Sequence, residues 1–258
     1  MGVDELWPGG PRFLTEKGVF PLSTDSVLLA HFAAGIRGKR ILDLGCGAGI
    51  LPVLLHISHP AAQLWGIELQ EAAAELCRKN LERNGCDAAG ILTGDLRAHR
   101  RMLPAGGFDL LVSNPPFFPE GHGYASPDPA RAAARDERKC TLDELCAAAA
   151  YLCRWGGAFA LVYRPERLSV LCCALSAHGL EPKRLRMVQH RAERPPSLVL
   201  LEARRGGKPG LEIQAPLLLC AGDGSDSEEL REIYHRQGPG QSADRLLDTA
   251  TDGKVGIP

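Results

Sequence analysis

Between residues 40 and 203, short apolar runs alternate with longer stretches in which apolar residues recur every three or four positions. The short runs are typical of buried strands and the longer stretches of amphipathic helices. The alternation predicts βαβ units and therefore an α/β fold with a doubly wound, mainly parallel sheet of seven strands. The predicted strands are 40–44, 63–67, 90–93, 108–113, 157–163, 184–189 and 198–203, and the predicted helices are 24–34, 50–57, 70–84, 141–154 and 166–178.

The same pattern divides the chain into three parts. Residues 1–36 form an N-terminal segment with one short helix, and residues 37–236 form the main domain. Residues 237–258 are polar and rich in glycine, which predicts a disordered tail. Within the main domain, residues 119–139 lack periodicity and are rich in Pro, Gly, Ala and Arg. A long loop of this kind inside a compact domain is typical of a lid or a binding segment.

The composition is that of an ordinary globular protein. The chain has 258 residues, of which 45% are hydrophobic and 24% charged, enough for one large core. No stretch reaches the roughly 18 uncharged apolar residues of a membrane span, and the N-terminus lacks a secretory leader pattern. We therefore expect a cytoplasmic protein without a membrane partner. The nine cysteines form no C-x-x-C pair, so we expect reduced thiols and no metal.

The net charge of −1 gives no overall attraction to nucleic acid, so a site for a polyanion must be local. Residues 183–208 carry eight basic and two acidic side chains. Residues 222–258 carry four basic and eight acidic ones. The first of these stretches is therefore the candidate for contact with a polyanion.

A glycine-rich turn, D-x-G-x-G-x-G over residues 43–49, lies between the first predicted strand and the helix after it. Glycines permit a sharp turn and let a ligand approach the backbone closely. A loop that binds the pyrophosphate of a dinucleotide has the spacing G-x-G-x-x-G, and an acid here would repel phosphate but attract an ammonium group. The residues expected to bind the amino-acid end of a ligand are Asp43, Gly45, Cys46, Gly47 and Gly49.

Two further acids follow the second and third predicted strands. Glu68 lies 23 residues after Gly45, close to the separation of about 20 at which an acid accepts hydrogen bonds from ribose hydroxyls. Leu69 lies beside it. Asp95 is expected to accept from an adenine amino group while Leu96 packs the ring, and the alternative for Asp95 is a helix cap. The strand ends thus outline a pocket for an adenosine joined to an amino acid, a description that S-adenosylmethionine fits.

The fourth strand runs directly into Asn114, Pro115, Pro116 and Phe117. These residues suit methyl transfer to the amine of an adenine base. Such an amine is a poor nucleophile because its lone pair is delocalised into the ring. The side-chain oxygen of Asn114 and the carbonyl of Pro115 would accept hydrogen bonds from its two N–H groups and favour a pyramidal nitrogen. Phe117 offers a π-face to an unstacked base, and the prolines stiffen the turn. The plain alternative is an ordinary loop after a strand.

With these motifs in place, the sequence resembles class I methyltransferases, which have a Rossmann-like fold, and more closely the bacterial tRNA (adenine-N6)-methyltransferase family. The resemblance implies methyl transfer from S-adenosylmethionine to N6 of an adenosine beside the anticodon in tRNA. It runs from about Gly18 to Gln237. The matching segments are 24–30, 43–49, Glu68, Asp95, 114–118, 134–137, 188–190, 195–196 and 200–203.

The resemblance also implies roles outside the cofactor pocket. Thr24 and Asp25 would lie on a segment covering the cofactor, although a helix cap would explain them equally well. No appended RNA-binding module is visible, so loops and the late hairpin would recognise the tRNA. The candidates for substrate contact are Phe118, Arg135, Arg191 and Arg194. A solvated strand face would explain scattered basic residues almost as well.

Three alternative functions stay open from the sequence. The Asn-Pro-Pro-Phe motif, or its form with tyrosine, also resembles that of rRNA guanine-N2, DNA adenine-N6 and protein glutamine-N5 methyltransferases, which implies the same chemistry on another acceptor. A nicotinamide-dependent oxidoreductase is favoured only by the glycine-rich βαβ start, and Asp43 and the glycine spacing disfavour it. A non-catalytic RNA-binding protein could keep a vestigial cofactor fold, although the intact Asn114 and acids disfavour this interpretation.

Overall fold

A nine-stranded, mainly parallel sheet forms the centre of the computed structural model, which describes residues 2–15, 23–115 and 140–235. A separate antiparallel hairpin precedes it. The hairpin strands are β1 (Gly2–Glu5) and β2 (Arg12–Thr15), and the sheet strands are β3 (Arg40–Leu44), β4 (Gln63–Glu68), β5 (Ile91–Thr93), β6 (Phe108–Ser113), β7 (Cys153–Tyr163), β8 (Leu180–Gln189), β9 (Leu198–Arg205), β10 (Glu212–Ile213) and β11 (Leu217–Leu218).

The strand order confirms the doubly wound prediction. The seven long strands lie in the order β5-β4-β3-β6-β7-β9-β8, and β9 runs antiparallel to both its neighbours. The chain builds outward from β3 to β5 and then returns to add β6 beside β3. Ligands bind at such a reversal, outside the carboxyl ends of the strands. The described sheet has nine strands rather than seven, because β10 and β11 also pair with β8.

Helices cover both faces of the sheet. The first three pack on one face together with Ile41 and Leu110, and the fifth and sixth pack on the other with Leu42 and Leu111. Neighbouring strand residues thus supply opposite cores, as strand geometry requires. No described helix is long and apolar enough to cross a bilayer. The helices are α1 (Thr24–Ala33), α2 (Ile50–Ser58), α3 (Glu71–Arg83), α4 (His99–Met102), α5 (Leu142–Leu152), α6 (Leu168–Ala177) and α7 (Glu228–Ile233).

The predicted bounds were wrong mainly at β7 and β8. β7 begins at Cys153 rather than at residue 157, because an irregularity in its pairing with β6 absorbs the glycines at 156 and 157. β8 begins at Leu180 rather than at residue 184, and a register shift accommodates Pro182, which cannot donate to a ladder. The predicted loop at 119–139 and the tail at 237–258 lie outside the described residues.

Candidate active site

The glycine turn of residues 45–49 joins β3 to α2 at the reversal of strand order. Gly45, Gly47 and Gly49 have φ values of 84°, 51° and 86°, a region that favours glycine. A Cβ at Gly45 or Gly47 would meet nothing within 4 Å. A Cβ at Gly49 would lie 2.8 Å from the sulfur of Cys77. The first two glycines therefore leave space for a ligand, and the third permits close packing of α2 against α3.

Asp43 and Glu68 place two buried carboxyl groups beneath this turn. Asp43 is 2% exposed, and neither of its carboxyl oxygens has a hydrogen-bond partner among the described residues. Burial raises the pKa of Asp43 well above its ordinary value, and the Glu68 carboxylate raises it further. Glu68 accepts hydrogen bonds from the backbone N–H groups of Gly47 and Gln70, both at 2.9 Å.

This arrangement fits S-adenosylmethionine. A buried carboxyl without a partner is costly, and a ligand that carries an ammonium and a sulfonium group supplies the missing positive charge. Each oxygen of Glu68 holds one backbone donor, and a carboxylate has about four acceptor sites in all. Glu68 can therefore brace the turn and still accept hydrogen bonds from ribose hydroxyls.

Asp95 follows β5, but its side chain is engaged locally. Its carboxylate caps the 3-10 turn Leu96–Ala98 by accepting from the backbone N–H of Arg97 at 2.9 Å. It also pairs with the Arg97 guanidinium at 2.6 Å, and hydrogen bonds from that side chain lower the pKa of Asp95. The capping alternative is thus what the structure displays, and contact with an adenine stays a prediction. Leu69 is 42% exposed, so its apolar surface is open to a ligand.

Asn114 lies at the end of β6, next to the glycine turn at the end of β3. The Ser113 hydroxyl before it donates to the carbonyl of Leu44 at 2.7 Å and ties the two strand ends together. The Asn114 amide nitrogen donates to the hydroxyls of Ser26 at 3.0 Å and Ser23 at 3.3 Å. Pro116, Phe117 and Phe118 lie outside the described residues, so their predicted roles stay predictions.

The first turn of α1 thus contacts the candidate catalytic residue. Ser23, not Thr24, is the N-cap of this helix. Burial raises the pKa of the Asp25 carboxyl, and the nearby Arg164 guanidinium opposes part of that rise. A role for Thr24 and Asp25 over the cofactor stays a prediction. Sequence reasoning missed the contact of Ser23 and Ser26 with Asn114, because 91 and 88 residues separate the partners.

The basic stretch from residue 183 to 208 does not form one patch. β8 and β9 span the sheet, so the loop 190–197 lies at the carboxyl edge and residues 204–208 lie at the opposite edge. Arg191 and Arg194 are exposed in that loop, and neither side chain forms a hydrogen bond or ion pair within the described part of the chain. Arg135, the third candidate, lies outside it.

Most other basic side chains of this stretch are already engaged. Arg184 and Arg204 both pair with Glu202, at 2.9 and 2.8 Å. Arg186 pairs with Glu229 at 2.5 Å. The Lys183 ammonium group donates to the backbone carbonyls of Lys208 and Gly210. The Arg205 guanidinium donates to the backbone carbonyls of Tyr151 and Cys153. The count of charges in the sequence therefore overstated the basic surface near Asn114.

The fold and this site define a class I S-adenosylmethionine-dependent methyltransferase. Residues 11–127 match the model of the family described as the methyltransferase small domain. A tRNA1(Val) (adenine(37)-N6)-methyltransferase of Porphyromonas gingivalis is 33% identical over 190 residues, which cover 71% of this chain and 74% of the relative. The counterpart from Tolumonas auensis is 31% identical over 216 residues, which cover 83% and 88%. The chain belongs to the family of the tRNA1(Val) (adenine(37)-N6)-methyltransferases.

Solved structures agree with this fold. The crystal structure of a predicted O-methyltransferase from Agrobacterium tumefaciens has a TM-score of 0.65 and 22% identity, and the match covers 83% of this chain and 98% of that one. The 16S rRNA N2 G1207 methyltransferase of Thermus thermophilus, in complex with AdoMet and guanosine, has a TM-score of 0.53 and 25% identity. That match covers 79% of this chain and 50% of that one.

Proposed function

We propose that the protein transfers the methyl group of S-adenosylmethionine to N6 of adenine 37 in a tRNA. The names of the curated relatives support this substrate. The single observation that carries the chemistry is the position of Asn114, at the carboxyl end of β6 and beside the glycine turn that follows β3. An amide oxygen there could accept a hydrogen bond from an exocyclic amine, and a cofactor held by the glycine turn would supply the methyl group beside it.

The residues of this chain divide the work as follows. Bound S-adenosylmethionine supplies a methyl group on a positively charged sulfur. Asp43 and Glu68 would hold the cofactor through its ammonium and ribose groups, and Gly45 and Gly47 would give it room. The Asn114 side-chain oxygen and the Pro115 carbonyl would accept hydrogen bonds from the two N–H groups of the amine, which frees the nitrogen lone pair to act as the nucleophile. The methylated amine then loses its extra proton to water, so no strong base is required.

Arg191 and Arg194 are proposed to hold the tRNA backbone. Both lie in the loop 190–197 at the carboxyl edge that also holds Asn114. Both are exposed and have no partner among the described residues, so their charges are free for phosphate. Contacts to phosphate place the nucleic acid without reading its sequence. Phe118 and Arg135 are proposed for the same surface on the sequence resemblance alone.

A second candidate is guanine N2 in rRNA. The observation that favours it is the likeness to the Thermus thermophilus rRNA methyltransferase, solved with guanosine, at 25% identity. Guanine N2 is also an exocyclic purine amine that an amide oxygen can activate. The greater identity to the tRNA adenine methyltransferases makes adenine N6 the preferred target.

Labelling of RNA with methyl-labelled cofactor tests the proposal. The purified protein is incubated with total RNA that lacks the modification, and the RNA is digested to nucleosides. We expect label in N6-methyladenosine, lost when adenine 37 of a tRNA1(Val) transcript is replaced by guanine. Label in N2-methylguanosine would establish the second candidate. The absence of any RNA labelling would refute both.

A further inference from the structure

We propose that Ser23, the N-cap of α1, and Ser26, in its first turn, are positioning residues that fix the orientation of the Asn114 amide. The inference rests on the proposed amine methylation, in which the side-chain oxygen of Asn114 must face the substrate. An amide pointed the other way would present a donor to a donor. The enzyme therefore needs a device that holds the nitrogen of Asn114 away from the substrate.

The hydrogen bonds of Asn114 supply that device. An asparagine amide has two hydrogens on its nitrogen. Among the described residues, its acceptors are the hydroxyls of Ser26 at 3.0 Å and Ser23 at 3.3 Å. Within the described part of the chain, the Asn114 side-chain oxygen accepts no hydrogen bond. The donors of the amide are thus committed to the protein, and its acceptor is left for a ligand.

The bond between the two serines sets the direction of this arrangement. The Ser23 hydroxyl accepts from the backbone N–H of Ser26 at 3.3 Å and donates its own proton to the Ser26 hydroxyl at 3.1 Å. Ser23 therefore presents only lone pairs to Asn114. A reversed amide would place its oxygen against those lone pairs, which is repulsive. The Ser23 hydroxyl therefore favours the orientation in which the amide nitrogen faces α1.

The first turn of α1 is a firm support for this contact. Ser26 is 6% exposed, and Val27, Leu28 and Leu29 behind it are buried in the core. Ser23 caps the helix by accepting from the backbone N–H of Ser26, and this bond places its side chain next to that of Ser26. A side chain held by a packed helix keeps its orientation better than one on a free loop. The serines therefore act on catalysis through Asn114, without contact with the substrate.

The variant Ser26→Ala tests this proposal, because it removes one acceptor and leaves the Ser23 cap in place. We expect kcat for tRNA methylation to decrease about tenfold, the effect of losing one ordinary hydrogen bond in the transition state. The KM for tRNA and the Kd for S-adenosylmethionine should not change, because Ser26 touches neither in the proposed mechanism. A role limited to folding would not separate kcat from KM in this way.

The double variant Asn114→Ala/Ser26→Ala decides whether Ser26 acts through Asn114. We expect its single-turnover rate to equal that of Asn114→Ala, since no amide is left to position. A further decrease of about tenfold in that background, or an unchanged kcat in Ser26→Ala, would overturn the positioning role. Full activity of Asn114→Ala would instead overturn the mechanism under the proposed function, so the two failures are distinguishable.

Ser227→Ala provides the matched control. Ser227 caps α7 through the backbone N–H of Leu230 at 3.0 Å, as Ser23 caps α1, but it has no hydrogen bond to Asn114. We expect this variant to lower Tm slightly and to leave kcat unchanged. A decrease in kcat equal to that of Ser26→Ala would show that any lost helix contact has the same effect, and would overturn the proposal.

Discussion

Both ends of the β8–β9 hairpin carry arginines, but those at one end are paired with acids and those at the other have no partner among the described residues. At the amino edge of the sheet and along the strands, the arginines are bound, as Arg184 and Arg204 are by Glu202. At the carboxyl edge, Arg191 and Arg194 are exposed without a partner in the described residues. The bound cations stabilise the hairpin, and the free ones are available to a ligand. The difference predicts that replacing the arginines at the carboxyl edge alters activity and that replacing those at the amino edge alters stability.

The largest effect is expected for Asn114→Ala at the carboxyl edge. Loss of a placed acceptor in the transition state lowers kcat by about a hundredfold or more. The Tm and the Kd for S-adenosylmethionine should stay near those of the unchanged protein. Methylation rates and isothermal titration measure the two quantities. Unchanged turnover would remove Asn114 from the mechanism.

Asp43→Asn adds a buried acid at the carboxyl edge to the comparison of the two edges. This variant should weaken cofactor binding and increase stability. The folded pKa of Asp43 lies well above 3.8. Between 3.8 and that raised pKa, the folded protein binds more protons than the unfolded chain, so the free energy of unfolding decreases as pH rises. The neutral amide removes this penalty and should raise the Tm of the ligand-free protein at neutral pH.

In the proposed site, the same variant loses the charge that would pair with the cofactor ammonium. We expect its Kd for S-adenosylmethionine to increase by about ten- to a hundredfold, the effect of losing a charged hydrogen bond. Asp223→Asn, in an exposed turn, is the control that removes a charge of the same kind elsewhere. A Tm and Kd that respond alike in both variants would contradict a special role for Asp43.

The sequence predicted only those parts of the site whose residues are contiguous along the chain. The glycine turn and Asn114 are recognisable because each motif is contiguous and follows a strand of the expected length. The contact of Ser26 with Asn114 depends on the packing of α1 against the sheet, which no local pattern encodes. The two-residue strands β10 and β11 are too short to show an alternation of apolar and polar positions. Which arginines lie at the carboxyl edge and which at the amino edge follows only from the register of β8 and β9.

A smaller effect is expected for the double variant Arg191→Ala/Arg194→Ala. If both guanidinium groups neutralise phosphates, their loss should raise the KM for tRNA by roughly tenfold at moderate salt and reduce the salt dependence of binding. The kcat at saturating tRNA and the Tm should not change. Binding measured across a series of salt concentrations checks both expectations. A KM that stays constant at every salt concentration would assign the tRNA to another surface.

Arg204→Ala at the amino edge gives the smallest effect and completes the comparison. Its side chain is 39% exposed and pairs with a Glu202 side chain that is 7% exposed. A partly exposed pair is screened by solvent, so its loss should cost about 0.5–1 kcal/mol and lower Tm by a few degrees. Glu202 keeps Arg184 as a partner, which limits the damage. The KM for tRNA should stay constant, because Arg204 lies across the sheet from Asn114. An increase in KM equal to that of the carboxyl-edge variant would mean that the tRNA reaches both ends of the hairpin, and the division between binding and stabilising arginines would not hold.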